Sequence, residues 1–337
     1  MCYIISIGDY MKNKRILIVF TGGTISMEND ITTMKTILSS GNTNLISILK
    51  DVFKAIEFDF VEFSLLPSPY IKPVDMFNLA KLIESKLSLN IYDGVVITHG
   101  TDTIEESAFF LDSYLNDDVP IVFTGSMRNL SELGYDGLSN VVSSVLVASS
   151  EQSKKRGVLL VMNDEINSAL EVTKTHTVAL DTFKSMEFGP LGIVDSNDVI
   201  YYRNKSYTKQ IFKITKLTKR VEIIKVAAGT DSKLINYLID DRVNGIVIEA
   251  LGRGNVPPQM VPGIKRAIEN NIPVVLTSRC PKGRVLDTYA YEGGGHHLKS
   301  LGVLFSGNLS SQKARIKLMM ILDFVDSIKN IKKYFDK

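Results

Sequence analysis

Short runs of apolar residues recur along this chain, and each run ends in small or polar residues. The runs in the first part of the chain span 15–20, 94–97, 119–123 and 157–162, and those in the second part span 221–226, 245–248, 273–276 and 303–305. Short apolar runs bounded in this way are typical of strands that are buried on both faces of a sheet. The sequence therefore predicts two series of buried strands.

Between these runs, apolar residues follow a helical spacing. One segment has apolar residues at positions 76, 79, 80, 83 and 87, and we predict Asp75 as its N-cap because it closely follows Pro73. Thr103 followed by Glu106 is a capping-box pattern that predicts the start of a second helix. Strands that alternate with helices indicate an α/β fold in which helices flank a sheet. Further helices are predicted to begin near Asp231, near Pro257-Pro258 and near Ser310.

A polar and basic stretch over 201–220 interrupts the alternation, and we interpret it as the link between two domains. A chain of 337 residues is long enough to form two hydrophobic cores. Met11, which basic residues follow, is a second candidate for the start of translation. We predict an N-terminal extension over 1–13, a larger N-terminal domain with a parallel or mixed sheet over 14–205, a linker over 206–220, and a smaller α/β domain over 221–337.

The charges of the chain nearly balance, with 39 Lys and Arg residues against 37 Asp and Glu residues and a formal net charge of +2. A protein with balanced charges lacks the broad positive electrostatic field that attracts the phosphate backbone of nucleic acids, so we expect no nucleic-acid partner. No apolar run approaches the ~20 residues that span a bilayer, so we expect no membrane partner. Cys2 and Cys280 have no metal-ligand spacing, and the start of the chain lacks a signal-peptide pattern. We therefore expect a cytoplasmic protein without disulfides.

Two polar segments follow predicted strands at the position where α/β sheets bind ligands. In Thr21-Gly22-Gly23-Thr24, two glycines allow a tight turn that exposes amide hydrogens beside a hydroxyl. This pattern suits a nucleophile with an oxyanion hole, an anion-binding turn or a purely structural turn. A phosphate loop is not indicated, because the segment lacks the lysine of that motif.

The second segment, 98–103, has the sequence Thr-His-Gly-Thr-Asp-Thr. Its Thr103 is explained by the predicted cap, whereas Thr101 and Asp102 are candidates for binding a substrate ammonium group or for a proton relay. A threonine hydroxyl is a weak nucleophile that needs a neighbouring base, and Lys174 is a candidate for that role. Read alone, Lys174 is better explained as a surface lysine.

The histidines indicate no metal site. We interpret His99 as a hydrogen-bonded structural residue, because it has no partner at metal-ligand spacing. The pair His296 and His297 lacks a third ligand at a useful spacing. We therefore expect neither a metal nor an organic cofactor.

Taken together, these motifs resemble the bacterial L-asparaginase family in identity and order over about residues 15–320. The resemblance rests above all on TGGT and HGTDT, and the further matching segments are VFTGSMR, VMNDE, VTKTHT, FKSMEFGPLG, GRGN, SRCPKG and SGNLSSQKAR. It implies a two-domain asparaginase-like fold and hydrolysis of L-asparagine to L-aspartate and ammonia through an acyl-threonine intermediate. It also implies an intimate homodimer, often paired into a tetramer, in which each site borrows residues from the partner.

The resemblance assigns roles to matching positions. Thr24 matches the primary nucleophile, and Thr101, Asp102 and Lys174 match a second constellation in which lysine and aspartate tune the second threonine. The implied substrate-binding residues are Gly23, Ser68, Thr101, Asp102, Asn255 and Glu292. Among these, Ser68 matches the residue that binds the substrate α-carboxylate, Asp102 the one that holds the α-amino group, and Asn255 and Glu292 those that reach the neighbouring subunit's site.

One part of the family pattern is missing from this sequence. Members carry a flexible flap after the nucleophile with a tyrosine that hydrogen-bonds it, whereas residues 25–44 here contain no tyrosine. Tyr70, beside Ser68, could supply a phenol from another loop or could pack against Pro67 and Pro69. The hydroxyls within the flap that could replace the tyrosine are Ser26, Thr32, Thr33, Thr36, Ser39, Ser40 and Thr43.

Several alternatives stay open at this point. The substrate could be asparagine, glutamine or a D-amide. A non-catalytic amino-acid sensor on the same fold is a rival of another class, and the asparaginase-like subunit of a tRNA-dependent amidotransferase is a rival within catalysis. Ammonia release would distinguish the enzyme from the sensor.

Overall fold

The computed structural model describes residues 13–29, 36–38, 42–116, 118–325, 327 and 330–335. The chain divides into two compact units, Met1–Ile211 and Phe212–Lys337. The expected extension over 1–13 lies outside the described residues except for its last position.

The first unit contains a large sheet with helices. Its strands are β1 (Lys14–Phe20), β2 (Met27–Asn29), β3 (Thr36–Leu38), β4 (Ile56–Glu62), β5 (Gly94–Thr98), β6 (Ile121–Thr124), β7 (Val158–Met162), β8 (Glu165–Ser168), β9 (Val172–Lys174), β10 (Phe183–Ser185), β11 (Gly192–Asp195) and β12 (Asp198–Tyr201). Its α-helices are α1 (Asn42–Val52), α2 (Pro73–Leu87), α3 (Ile104–Tyr114) and α4 (Gly137–Ser149). Short 3₁₀ helices span Thr24–Ser26, Ser68–Tyr70 and Glu151–Ser153.

The large sheet has eight strands in the order β12-β11-β8-β7-β6-β5-β1-β4. The strands from β4 to β7 in this order run parallel, whereas β8, β11 and β12 are added antiparallel. The apolar runs of β5, β6 and β7 are buried throughout, as expected for central strands covered on both faces. The prediction of a mixed sheet flanked by helices is confirmed.

The order of the strands determines where the motifs lie. β1 pairs with β5, and Phe20 at the end of β1 lies opposite Thr98 at the end of β5. Because the two strands are parallel, the segments that follow them leave the same edge of the sheet. TGGT and HGTDT are therefore neighbours.

The second unit is a smaller α/β domain, and its sheet is parallel with the strands in chain order. The strands are β13 (Val221–Lys225), β14 (Gly245–Ala250), β15 (Val274–Ser278) and β16 (Leu304–Phe305). The helices are α5 (Lys233–Asp240), α6 (Val261–Glu269), α7 (Gly295–Ser300), α8 (Ser311–Phe324) and α9 (Lys332–Phe335), and a 3₁₀ helix spans Pro258–Met260. Its core packs α5 and α6 onto the sheet.

One helix start differs from the sequence prediction, and the N-cap residue of another helix makes a different hydrogen bond from the one expected. α2 begins at Pro73 with Lys72 as its N-cap, so the prediction of Asp75 as the N-cap is wrong. Asp75 instead acts from inside the first turn, where its carboxylate accepts the backbone N–H of Lys72 at 2.8 Å. Thr103 is the N-cap of α3 as expected, but its hydroxyl makes no capping bond. It donates instead to the carbonyl of Ser68 at 2.9 Å.

Within the described part of the chain, no helix is long and apolar enough to cross a bilayer.

Candidate active site

The TGGT segment is joined directly to the end of β5. Both the backbone N–H and the hydroxyl of Thr21 donate to the carbonyl of Thr98, at 3.1 and 2.9 Å. On the other side, the carbonyl of Thr21 accepts the Ser64 hydroxyl at 2.8 Å and the Leu66 N–H at 3.2 Å. The turn is thus held between β5 and the chain that follows β4.

Two glycines bring the motifs into backbone contact. Gly22 and Gly23 have φ values of +101° and +87°, which glycine adopts readily. A Cβ on Gly23 would lie 2.3 Å from the Cα of Gly100, the glycine of HGTDT. Thr24 follows at once and opens the 3₁₀ turn Thr24–Ser26. The candidate nucleophile therefore lies beside the second motif.

Ser68 contacts the HGTDT segment and is almost fully buried. Its hydroxyl accepts the backbone N–H of Asp102 at 3.2 Å, and its carbonyl accepts the Thr103 hydroxyl at 2.9 Å. A Cβ on Gly100 would lie 2.7 Å from the Ser68 side chain. The geometry thus brings Ser68 against HGTDT, although the two are more than thirty positions apart.

Lys174 links the two candidate residues of HGTDT. Its Nζ donates to Thr101 Oγ1 at 3.0 Å and to Asp102 Oδ1 at 2.7 Å. The Lys174 side chain is 16% exposed, whereas that of Asp102 is 61% exposed. A charged donor on the Thr101 hydroxyl stabilises negative charge on that oxygen, and the exposed carboxylate can accept from a ligand ammonium group.

A short ribbon of two strands, β9 and β10, carries Lys174 to this position. On the preceding residue, the Thr173 hydroxyl donates to Glu105 Oε1 of α3 at 3.2 Å. This contact fixes the ribbon against the helix that follows HGTDT. No pattern in the sequence indicated Glu105 as a residue that positions Lys174.

A surface cavity of about 530 Å³ opens beside this constellation. It is lined by Asp102, Glu105, Lys174, Thr175, His176 and Thr177. A cavity of this size, with both charges of the ion pair on its wall, can admit a small polar ligand.

His99 is structural, as interpreted from the sequence. It is buried, its Nδ1 lies 2.8 Å from the carbonyl of Gly100, and its Nε2 lies 2.9 Å from the Ser107 hydroxyl. Since a carbonyl can only accept, Nδ1 carries the proton and Nε2 accepts from Ser107. Burial lowers the pKa of His99 to about 4. Among the described residues, no group of three or more His, Cys, Asp or Glu side chains could hold a metal ion.

Asn255 and Glu292 lie in the second unit, on two loops that contact each other. The N–H of Val256, next to Asn255, donates to the carbonyl of Gly293, next to Glu292, at 2.9 Å. Glu292 is exposed. The Oδ1 of Asn255 is buried without a hydrogen-bond partner among the described residues.

Three groups of side chains are relevant to the missing flap tyrosine. Tyr70 is 66% exposed, in the turn that begins at Ser68. The candidate flap hydroxyls, from Ser26 to Thr43, lie on side chains outside the described part of the structure. A phenol that the sequence analysis missed belongs to Tyr135, which donates to the carbonyl of Ile25 at 3.2 Å.

Comparison with known proteins places this arrangement among the amidohydrolases. The family model for the N-terminal domain of asparaginase matches residues 15–207, and the model for the glutaminase/asparaginase C-terminal domain matches residues 220–335. The chain therefore belongs to the asparaginase family, and it is an enzyme of the amidohydrolase class.

Individual relatives agree with this assignment. An L-asparaginase of Bacillus licheniformis is 34% identical over 92% of this chain and 96% of its own length. The crystal structure of a probable cytoplasmic L-asparaginase from Campylobacter jejuni superposes with a TM-score of 0.85 at 30% identity, covering 96% of this chain and 99% of that chain. One subunit of a glutamyl-tRNA(Gln) amidotransferase from Methanobrevibacter smithii is 30% identical over 97% of this chain and 76% of its own length.

Proposed function

We propose that this chain hydrolyses the side-chain amide of L-asparagine to give L-aspartate and ammonia, with Thr24 as the nucleophile. The observation that carries the proposal is the bridge from Lys174 Nζ to Thr101 Oγ1 and Asp102 Oδ1, at 3.0 and 2.7 Å. It supports the proposal because it combines a polarised hydroxyl with a carboxylate suited to an α-ammonium group, next to the turn that carries Thr24. Relatives described as L-asparaginases support the choice of substrate.

The proposed reaction has two displacements. Thr24 Oγ attacks the amide carbon and loses its proton, and backbone N–H groups near Gly23 and Thr101 stabilise the oxyanion. The C–N bond then breaks, and the amide nitrogen takes up the proton that Thr24 lost, so that it leaves as ammonia. Water next attacks the acyl-threonine ester, its proton passing through Thr101, which Lys174 and Asp102 tune. Aspartate leaves and the Thr24 hydroxyl is restored, without any oxidant, reductant or other co-reactant.

The first experiment measures ammonia release by the purified protein over a panel of L- and D-amides. We expect L-asparagine to be the best substrate, and a clear preference for L-glutamine or a D-amide would overturn the choice of substrate. Thr24→Ala should reduce turnover to less than about a hundredth, since catalysis that survives loss of a nucleophile is far smaller than that. Thr230→Ala, in a turn of the second unit, is the matched control and should keep full activity.

We also propose that the active form is an intimate homodimer, paired into a tetramer, in which Asn255 and Glu292 reach the partner's site. Two observations support this proposal: the buried Oδ1 of Asn255 has no hydrogen-bond partner among the described residues, and Glu292 is exposed. Mixing Thr24→Ala subunits with Glu292→Ala subunits should restore activity, because each hybrid dimer then holds one site with both residues intact. Verified hybrids without activity would indicate a site built from one chain.

A cytoplasmic location is proposed on two grounds. Cys280 is exposed and forms no disulfide within the described part of the chain, and the structural relative from Campylobacter jejuni is described as cytoplasmic. Relatives described as periplasmic also occur, so fractionation of the producing cell is the test. Activity in the soluble fraction of gently lysed cells, and not in material released by osmotic shock, is the expected result.

A further inference from the structure

The phenol of Tyr135 reaches the turn that carries Thr24. Tyr135 Oη donates to the carbonyl of Ile25, the residue after Thr24, at 3.2 Å. The ring lies over Gly137, where an added Cβ would be 2.3 Å from Oη. The contact therefore depends on a glycine two residues further along the chain.

The loop beneath Tyr135 is held firmly to the large sheet. The carboxylate of Asp136 accepts the N–H of Met127 at 3.0 and 3.1 Å and the side-chain amide of Asn140 at 2.9 Å. Asn140 also donates to the carbonyl of Gly125, directly after β6, at 3.0 Å. The residues that follow Tyr135 are thus hydrogen-bonded to the segment at the carboxyl end of β6.

The turn is anchored on both sides. Its N-terminal side is fixed by the two bonds from Thr21 to Thr98 and by the contact of Gly23 with Gly100. After Thr24, the buried side chain of Ile25 enters the core of the first unit, and its carbonyl accepts the Tyr135 hydroxyl. Thr24 therefore lies between two anchored points.

The phenol remains a donor under ordinary conditions. Burial raises the pKa of Tyr135, and the neighbouring Asp136 carboxylate raises it further. The hydroxyl therefore keeps its proton over the pH range in which amide hydrolysis would be assayed.

We propose that Tyr135 is a positioning residue for the nucleophile: its hydroxyl, through the carbonyl of Ile25, fixes the turn in which Thr24 faces the substrate amide. The catalytic consequence rests on the proposed role of Thr24. A displacement of about 1 Å at a reacting group can cost about a hundredfold in rate, so a single bond to this turn is enough to matter. Tyr135 touches neither the amide nor the attacking oxygen.

The test compares Tyr135→Phe with Tyr201→Phe in the full-length protein. Tyr201 packs against the same core cluster as Tyr135, and its hydroxyl lies 2.8 Å from the Ser153 hydroxyl. Tyr201 is the last residue of β12, which lies at the edge of the large sheet and is six strands away from β1, the strand that precedes Thr24. Its variant therefore removes a similar hydrogen bond at a distance from the nucleophile. The two variants should lose thermal stability to a similar extent.

Two measurements should distinguish Tyr135→Phe from Tyr201→Phe. In Tyr135→Phe we expect kcat to fall at least about tenfold while KM stays within about twofold, because the residues assigned to bind the substrate's charged groups keep their contacts. We also expect amide hydrogen exchange over residues 24–26 to become at least about tenfold faster than in Tyr201→Phe, because the anchored turn opens more often.

The inference is overturned if exchange in this turn is the same in both variants, or if faster exchange leaves kcat unchanged. A loss of kcat without faster exchange also overturns it, since the hydroxyl would then act in some other way. If the wild-type protein releases no ammonia from any amide, the proposed function fails instead. Exchange alone then decides whether Tyr135 anchors the turn.

Discussion

Replacing Lys174 with methionine separates the chemical role of this residue from its structural role. Methionine keeps most of the apolar stem but removes the Nζ that donates to Thr101 and Asp102. If Lys174 tunes the Thr101 hydroxyl, the variant should fold normally and lose most of its turnover.

The structure gives the expected size of each effect. Asp102 is 61% exposed, so water replaces the lost donor there and the ion pair contributes little to stability. The Thr101 hydroxyl is buried and loses one hydrogen bond, which costs about 1 kcal/mol of the free energy of unfolding. Loss of a positioned acid–base group lowers kcat by about 10²–10⁴-fold, or roughly 3–5 kcal/mol of activation free energy. The catalytic loss should thus exceed the loss of stability several times over.

Lys184→Met is the matched control. Lys184 lies on β10, the strand paired with β9, and its Nζ donates to Glu165 at 2.7 Å. Ammonia release should be followed with saturating asparagine, and urea unfolding should be measured on the same preparations. We expect similar stability in the two variants and near wild-type kcat only in Lys184→Met.

Two results would refute this reasoning. A Lys174→Met enzyme with a tenth or more of the wild-type kcat would show that the bridge is structural. Equal loss of activity in Lys184→Met would show that the ribbon, rather than the Nζ of Lys174, is what turnover requires. Because Thr101 and Lys174 act as a unit, Lys174→Met combined with Thr101→Ala should cost little more than Lys174→Met alone.

Two further predictions concern His99 and Tyr70. His99 has its pKa lowered from 6.5 to about 4 by burial, so the unfolded chain binds a proton in this window that the native protein does not. This contribution to stability is complete above pH 6.5 and is lost as the pH falls to 4, by about 3 kcal/mol at about 1.4 kcal/mol per pKa unit. When the free energy of unfolding is measured with urea at several pH values, it should change less steeply with pH in His99→Gln than in the wild type, and equal pH dependence would contradict the assignment. Tyr70→Phe should change kcat little because the ring is 66% exposed, and a loss of at least about tenfold would show instead that Tyr70 supplies the phenol missing from the flap.

The strands that carry the candidate site could be predicted from the sequence because they are buried on both faces. β1 and β5 are continuous apolar runs that end where polar motifs begin, and parallel pairing then places those motifs side by side. The antiparallel strands were missed for the opposite reason. β11 and β12 have four residues each. Exposed or half-buried positions interrupt β11, and β12 has no buried position, so neither strand gives a long apolar run.

The contacts that position the site were harder to predict, because they join distant parts of the chain. Tyr135 and Ile25 are 110 positions apart, and no local pattern relates them. Thr103 shows a related difficulty. Its position before α3 indicated a cap, yet its hydroxyl serves Ser68, 35 positions away. Local pattern identifies where a helix begins but not which tertiary acceptor competes for a side chain.

The backbone contact between Gly23 and Gly100 limits how this enzyme could be altered in the laboratory. A Cβ at either position would meet backbone or side-chain atoms at 2.7 Å or closer. A substitution at Gly23 would push the two motifs apart, and one at Gly100 would displace Ser68. A directed-evolution library aimed at a new amide substrate should therefore hold both glycines constant and vary the cavity wall at Thr177, rather than at Thr175 and His176, whose side chains hydrogen-bond the backbone of neighbouring residues.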